Sequence, residues 1–235
     1  MLLYKSFIPI VLIGLIVPAI AQIPVKIMPL GDSITEWGCW RAYLWNKLQQ
    51  GGIRNIDFVG SVTSTTICNV SDWDRNNEGH AGYLAINIAN NNDLVGWLSS
   101  AKPDIVLMHL GTNDIANNKQ TLEIIAAFST LVDQMRASKP TMTILVAKII
   151  PLSFNNQSLM DLNDAISAWA LSKTTTASPI VVVDQYAGFS TSDLRDGVHP
   201  NDSGDQKIAN VWYPALVNAI NASQSPARVA LEFTA

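Results

Sequence analysis

Short apolar runs separated by longer segments of helical character constrain this chain more than any other feature. Val25 to Leu30, Ile56 to Val59, Asp104 to Leu110, Thr143 to Ile149 and Ile180 to Val183 read as strands. Between and after them, Arg41 to Gln50, Tyr83 to Ser99, Thr121 to Ser138, Leu159 to Ser172 and Asp202 to Asn221 read as helices. Gly51-Gly52 stops the first of these, and Pro140 follows the third. Residues 61–78, rich in Ser, Thr and Asn, read as a polar loop. Strands alternating with helices form a parallel sheet with helices on both faces, and near-continuous apolar strands fit that double cover. The fold class is α/β. In such sheets, sites form at the carboxyl ends of the strands.

The 235 residues amount to one domain, and 48% hydrophobic with 14% charged residues excludes disorder and coiled coil. Residues 1–21 read as a signal peptide: Lys5 is the basic start, Phe7 to Val17 the apolar run, and Ala19-Ile20-Ala21 the cleavage site. An uncleaved anchor is the rival reading, but the run is short of the roughly 20 residues that span a bilayer. Residues 22–222 form the mature domain, and 223–235 are a tail outside every motif. Cleavage removes one lysine and no acid from a chain of net charge −4, so nucleic acid is a poor partner. The expectation is a secreted, extracellular monomer with no membrane contact after signal cleavage. Secretion favours a disulfide between Cys39 and Cys68 over two separate buried thiols. Asn69, Asn156, Asn201 and Asn221 each begin an N-x-[ST] glycosylation site.

A serine nucleophile needs a base, and the chain has three histidines. His109 lies within an apolar strand and reads as a satisfied core residue. His80 lies in a loop near the proposed site with no obvious carboxylate to orient it. His199 lies in Asp196-Gly197-Val198-His199-Pro200, where the carboxylate can accept from one ring nitrogen while the other faces a serine. Gly31-Asp32-Ser33 sits where the first strand ends; Ser33 there could also be a helix cap. Acyl transfer further needs donors for an oxyanion. The backbone of Ser33, the backbone of Gly82 and the Asn113 amide in Gly111-Thr112-Asn113-Asp114 supply such a set.

Four blocks, Gly31-Asp32-Ser33-Ile34, Asn77-Glu78-Gly79-His80-Ala81-Gly82, Gly111-Thr112-Asn113-Asp114 and Asp196-Gly197-Val198-His199-Pro200, resemble in order those of the SGNH hydrolases, also called GDSL-type esterases. The first block carries Ile where Leu is common. The extended blocks around Thr35-Glu36, Tyr83 and Asn201-Asp202-Ser203-Gly204-Asp205 resemble carbohydrate esterase family 3, which includes acetyl xylan esterases. The resemblance implies a flavodoxin-like three-layer α/β/α sandwich with a five-stranded parallel sheet of order 2-1-3-4-5. It implies catalysis by Ser33, Asp196 and His199, an oxyanion hole of Ser33, Gly82 and Asn113, and no required cofactor or metal. The implied activity is release of acetate from cell-wall polysaccharide such as acetylated xylan, or from a small acetyl ester.

Trp37, Trp40, Arg41, His80 and Tyr83 are candidate substrate contacts by sequence position, with core packing as the competing reading for the aromatics. Other readings are an esterase for other acyl groups, such as a pectin-type deacetylase or lysophospholipase, and a non-catalytic glycan-binding module. A metal site from Asp196, His199, Asp202 and Asp205 is a further alternative, but zinc-type spacing such as H-E-x-x-H is missing. The sequence also lacks a G-x-S-x-G elbow, a Walker motif and a dinucleotide fingerprint.

Overall fold

The computed structural model describes residues 23–225. The signal-peptide expectation lies outside them, as does the tail beyond Ser225. In chain order the elements are β1 (Val25–Gly31), α1 (Ser33–Trp37), α2 (Trp40–Gln50), β2 (Ile56–Phe58), β3 (Val62–Thr63), β4 (Asn76–Gly79), α3 (Ala85–Asn91), α4 (Asp93–Ala101), β5 (Ile105–His109), α5 (Thr112–Ala116), α6 (Thr121–Ser138), β6 (Thr143–Lys148), α7 (Asn156–Lys173), β7 (Ile180–Asp184), a 3₁₀ turn (Thr191–Asp193) and α8 (Asp202–Ser223).

The five strands expected from the apolar runs pair in parallel in the order β2-β1-β5-β6-β7. This is the order 2-1-3-4-5. Side-chain alternation separates two cores. Met28, Leu30, Val106, Met108, Ile144 and Val146 pack with α3, α4, α6 and α7. Ile27, Ile105, Leu107, Leu145 and Ala147 pack with α2 and α8. Every one of these strand side chains is essentially closed to solvent, so both sheet faces are covered as the apolar runs required. No helix among the described residues is long and apolar enough to cross a membrane.

Two local readings are corrected. Residues 61–78 are not all loop: β4 adds to the β1 edge beyond β2, pairing Leu30 with Glu78 and Gly31 with Gly79, and carries the antiparallel β3. The sequence Asn76-Asn77-Glu78-Gly79 has no apolar residue to announce a strand. Its pairing comes from the free edge of β1, and its buried Asn77 is satisfied locally, accepting from the Gly79 N–H at 2.9 Å and donating to the Arg75 carbonyl at 3.2 Å. The single helix expected from Tyr83 to Ser99 is two helices that start at Ala85. They break at Asn92, which adopts a left-handed conformation (φ 57°), one that asparagine tolerates better than most residues.

Candidate active site

Gly31 pairs with both Gly79 of β4 and His109 of β5. The segments after these three residues therefore leave the sheet at one level and at its carboxyl edge. They carry Ser33, the loop 80–84, and Gly111 to Asn113.

Ser33 is the first residue of α1. Asp32 caps this helix by accepting from the Ile34 N–H at 2.9 Å. The Ser33 Oγ lies 2.9 Å from His199 Nε2, and His199 Nδ1 lies 2.8 Å from Asp196 Oδ2. The other Asp196 oxygen accepts from the backbone N–H groups of His199 (2.8 Å) and Val198 (3.1 Å). Desolvation raises the Asp196 carboxyl, but the His199 N–H, the His199 ring and the Val198 N–H outweigh it and hold it at about 2. Asp196 is thus an acceptor only. The proton of neutral His199 belongs on Nδ1, and Nε2 can accept from Ser33.

Asp193 braces the loop that carries His199. It accepts from Ser190, Ser203 and Lys207, the last at 2.7 Å. Burial opposes its ionisation, yet Lys207 and the serine donors bring it to about 2.

The loop 80–84 is fixed from three sides. The Ala81 N–H donates to Glu36 of α1 at 2.6 Å, the Asn113 amide donates to the Tyr83 carbonyl at 3.0 Å, and the His80 N–H donates to the Gly31 carbonyl at 3.0 Å. Asp114 holds the far end, accepting from Ala85 at 2.8 Å and Ile86 at 3.2 Å in the first turn of α3. Gly82 between them has φ 81° and nothing near its missing Cβ, so a reacting carbonyl could approach its N–H. The Ser33 N–H opens a helix, where no intrahelical acceptor exists. The Asn113 side chain keeps a second N–H. This arrangement can activate a hydroxyl and stabilise an oxyanion beside it.

The proposed substrate contacts divide. Trp37 is 42% exposed, with its ring centroid 5.3 Å from that of His199. Tyr83 is 43% exposed beside Gly82. His80 is partly buried, stacked on Trp97 at 4.2 Å and on Tyr83 at 5.0 Å. Contrary to the sequence reading, a carboxylate does orient it: buried Glu78 lies 2.6 Å from Nε2.

Trp40 and Arg41 are corrections. Trp40 is core, packed on Trp212 with its indole N–H donated to the Ile34 carbonyl at 2.9 Å. Arg41 is fully buried and donates to the carbonyls of Thr35 (2.7 Å) and Glu36 (2.9 Å), which close the end of α1. Neither has a face left for substrate.

His109 is buried, but neither ring nitrogen has a partner, so it is not the satisfied core residue expected. Burial lowers it to about 4 and keeps it neutral. Cys39 and Cys68 form a disulfide. The four residues of the alternative metal site do not converge: Asp196 holds His199, Asp202 accepts from the Tyr43 hydroxyl, and Asp205 accepts from the Cys39 N–H at the start of α2. Asn69, Asn156 and Asn221 are exposed, whereas the Asn201 side chain caps α8 at Gly204 and donates to the Ser192 carbonyl at 2.8 Å.

Glu36, Asp114 and Asp193 carry no role in the sequence reading. Each acts across a gap of at least ten residues or inside a loop, and the one local signal was the acid that follows Asn113.

The GDSL-like lipase/acylhydrolase family matches the chain over residues 30–207. A structure of a serine-to-alanine mutant of acetyl esterase with acetate ion is 40% identical, covers 85% of this chain and 100% of its own, and superposes with a TM-score of 0.81. A carbohydrate esterase of family 3 from Talaromyces cellulolyticus is 41% identical, with coverage of 84% and 99% and a TM-score of 0.80. A multidomain esterase of Ruminococcus flavefaciens is 29% identical over 86% of this chain, which spans only 30% of that relative's length. The chain belongs to the GDSL-like lipase/acylhydrolase family, the SGNH hydrolases.

Proposed function

We propose that the protein is a secreted serine esterase that removes acetyl groups from plant cell-wall polysaccharide, with acetylated xylan as its substrate. The observation that carries the serine chemistry is the line from Ser33 Oγ through His199 to Asp196, with 2.9 and 2.8 Å contacts. The carbohydrate acetyl substrate is supported by similarity to an acetyl esterase and a family 3 carbohydrate esterase across nearly the whole chain. The Cys39–Cys68 disulfide and the leader-like residues 1–21 support secretion. Exposed Asn69, Asn156 and Asn221 are the proposed glycan acceptors, and the hydrogen-bonded Asn201 is not.

In this mechanism His199 Nε2 takes the Ser33 proton as Oγ attacks the acetyl carbonyl. Asp196 stabilises the imidazolium that forms. The N–H groups of Ser33 and Gly82 and the Asn113 amide receive the oxyanion. His199 then protonates the leaving sugar oxygen. Water, deprotonated by the same base, hydrolyses the acetyl-Ser33 ester to acetate and regenerates the hydroxyl.

Acetate release from acetylated xylan, acetylated pectin and a long-chain ester, by the wild type and Ser33→Ala, tests both parts. Xylan should be the best substrate, and the variant should lose at least about 10³-fold in rate. Full activity in Ser33→Ala would refute the chemistry. Preference for pectin or the long-chain ester would refute the substrate alone.

A further inference from the structure

A second concavity of about 580 Å³ lies along α2, away from Ser33 and His199. That volume is within the range of roughly 300–1,000 Å³ that holds small ligands. Its walls are one face of α2, with Trp45, Asn46 and Gln49, and the loop segment Ser71 to Asp74; Arg54 closes one side. Asn46 and Gln49 are three apart and so share a helix face. They begin six residues after Trp40, which places them roughly 9–14 Å along the helix from its active-site end.

The polar groups here are not consumed by the fold. The side chains of Asn46, Arg54 and Asp72 make no hydrogen bond or ion pair with another described residue. The Gln49 side-chain amide donates weakly to the Ile53 carbonyl at 3.3 Å and keeps its side-chain carbonyl free. Asp74, by contrast, is a wall: its oxygens accept from the Phe58 N–H at 2.9 Å and the Asn76 N–H at 3.1 Å.

The rim is also rigid. The disulfide to Cys39 anchors Cys68 in the same loop. The guanidinium groups of Arg41 and Arg75 lie 5.1 and 5.0 Å from the Trp73 ring centroid and clamp that wall. Asp72 holds a left-handed backbone (φ 59°), a conformation that aspartate, like asparagine, tolerates better than most residues. A preformed pocket avoids the ordering cost of binding.

The partly exposed ring of Trp45, with unpaired amide, guanidinium and carboxylate groups around it, suits a ligand that is apolar on its ring faces and rich in hydroxyls at its edge. One cation beside two carboxylates gives no excess positive charge for a phosphate or polyanion. We propose that this cavity is a second, non-catalytic glycan site, which holds a neutral polysaccharide strand on the enzyme while Ser33 acts elsewhere on it.

Affinity gel electrophoresis in soluble deacetylated xylan and in hydroxyethyl cellulose tests this, with Ser33→Ala as the parent so that turnover plays no part. The parent should be retarded in at least one polymer. Adding Asn46→Ala with Arg54→Ala should raise its apparent Kd by about tenfold or more, the loss of one or two ligand hydrogen bonds. Asp72→Gly, which removes the carboxylate at a left-handed position that glycine adopts freely, should weaken binding while holding the melting temperature. That result separates lost binding from lost folding. No retardation of the parent, equal retardation of the variants, or loss of retardation only on adding Trp37→Ala would each overturn the proposal.

Discussion

Glu36 accepts a 2.6 Å hydrogen bond from the backbone N–H of Ala81. It joins the helix that presents Ser33 to the loop that presents Gly82. The two segments also cross closely, since a Cβ on Gly79 would sit 2.4 Å from the Glu36 nitrogen. Oxyanion catalysis depends on placing donors before the reaction begins. Glu36→Ala should therefore lower kcat by about 10–100-fold with little change in KM, because a displacement of about 1 Å is costly at such a site. Glu36→Gln keeps an acceptor and should recover most of the rate. Steady-state kinetics on a nitrophenyl acetate checks this. Equal loss in both variants would assign Glu36 a different role.

Asp196→Asn replaces an acceptor by a side chain that can donate. The His199 ring is then free to carry its proton on Nε2, facing Ser33. The expected loss is on the order of 10²–10⁴-fold in kcat near neutral pH. A loss under tenfold would show that the backbone bonds around Asp196 hold the loop without help from its charge.

Two buried carboxyls make stability depend on pH. Asp32 is fully enclosed and Asp205 is 7% exposed, and desolvation lifts each from 3.8 to about 7. The folded state therefore holds these protons more tightly than the unfolded chain. Their contribution is fully present below 3.8 and is lost as pH rises through about 7. Asp193 and Asp196 act in the opposite sense, contributing above 3.8 and losing that contribution as pH falls through about 2. His109, lowered from 6.5 to about 4, also opposes the two carboxyls, its contribution being present above 6.5 and lost as pH falls through about 4, but one imidazole is outweighed by two carboxyls between pH 5 and 7. Calorimetry should show the melting temperature falling by a few degrees between pH 5 and pH 8, and Asp205→Asn should flatten that slope. A steady rise over the same interval would contradict this assignment.

The Cys39–Cys68 bridge has a sequence separation of 29 residues. The chain-entropy model gives it about 3–4 kcal/mol. The double variant Cys39→Ser, Cys68→Ser should melt roughly 10 °C lower in a domain of this size. Equal melting temperatures would show that packing around Trp73 already orders the loop.

The parts of the fold legible in the sequence are those decided by local pattern. Thr121 to Ser138 is read with both ends correct, since the Gln120 and Glu123 capping box opens it and Pro140 lies just past its end. The five buried strands announce themselves by apolar runs. β4 does not, because a polar segment became a strand only by meeting the open edge of β1. Trp40 and Arg41 sit next to the site in sequence, yet the helix turns both inward, and one-dimensional proximity carries no sign of direction. The Glu78 partner of His80 stays hidden with β4, because residues two apart share a face only along a strand, and this one, which ends at Gly79, is not legible. The Glu36–Ala81 and Asp114–Ala85 bonds join distant segments, and no spacing rule announces them.

Ser33 as the nucleophile underlies every step of the proposed chemistry. A serine-directed fluorophosphonate followed by peptide mass mapping tests it most directly. One adduct is expected, on Ser33, formed in step with loss of esterase activity and absent in Ser33→Ala and His199→Ala. Complete inactivation with the adduct elsewhere, or full activity with Ser33 fully labelled, would contradict it.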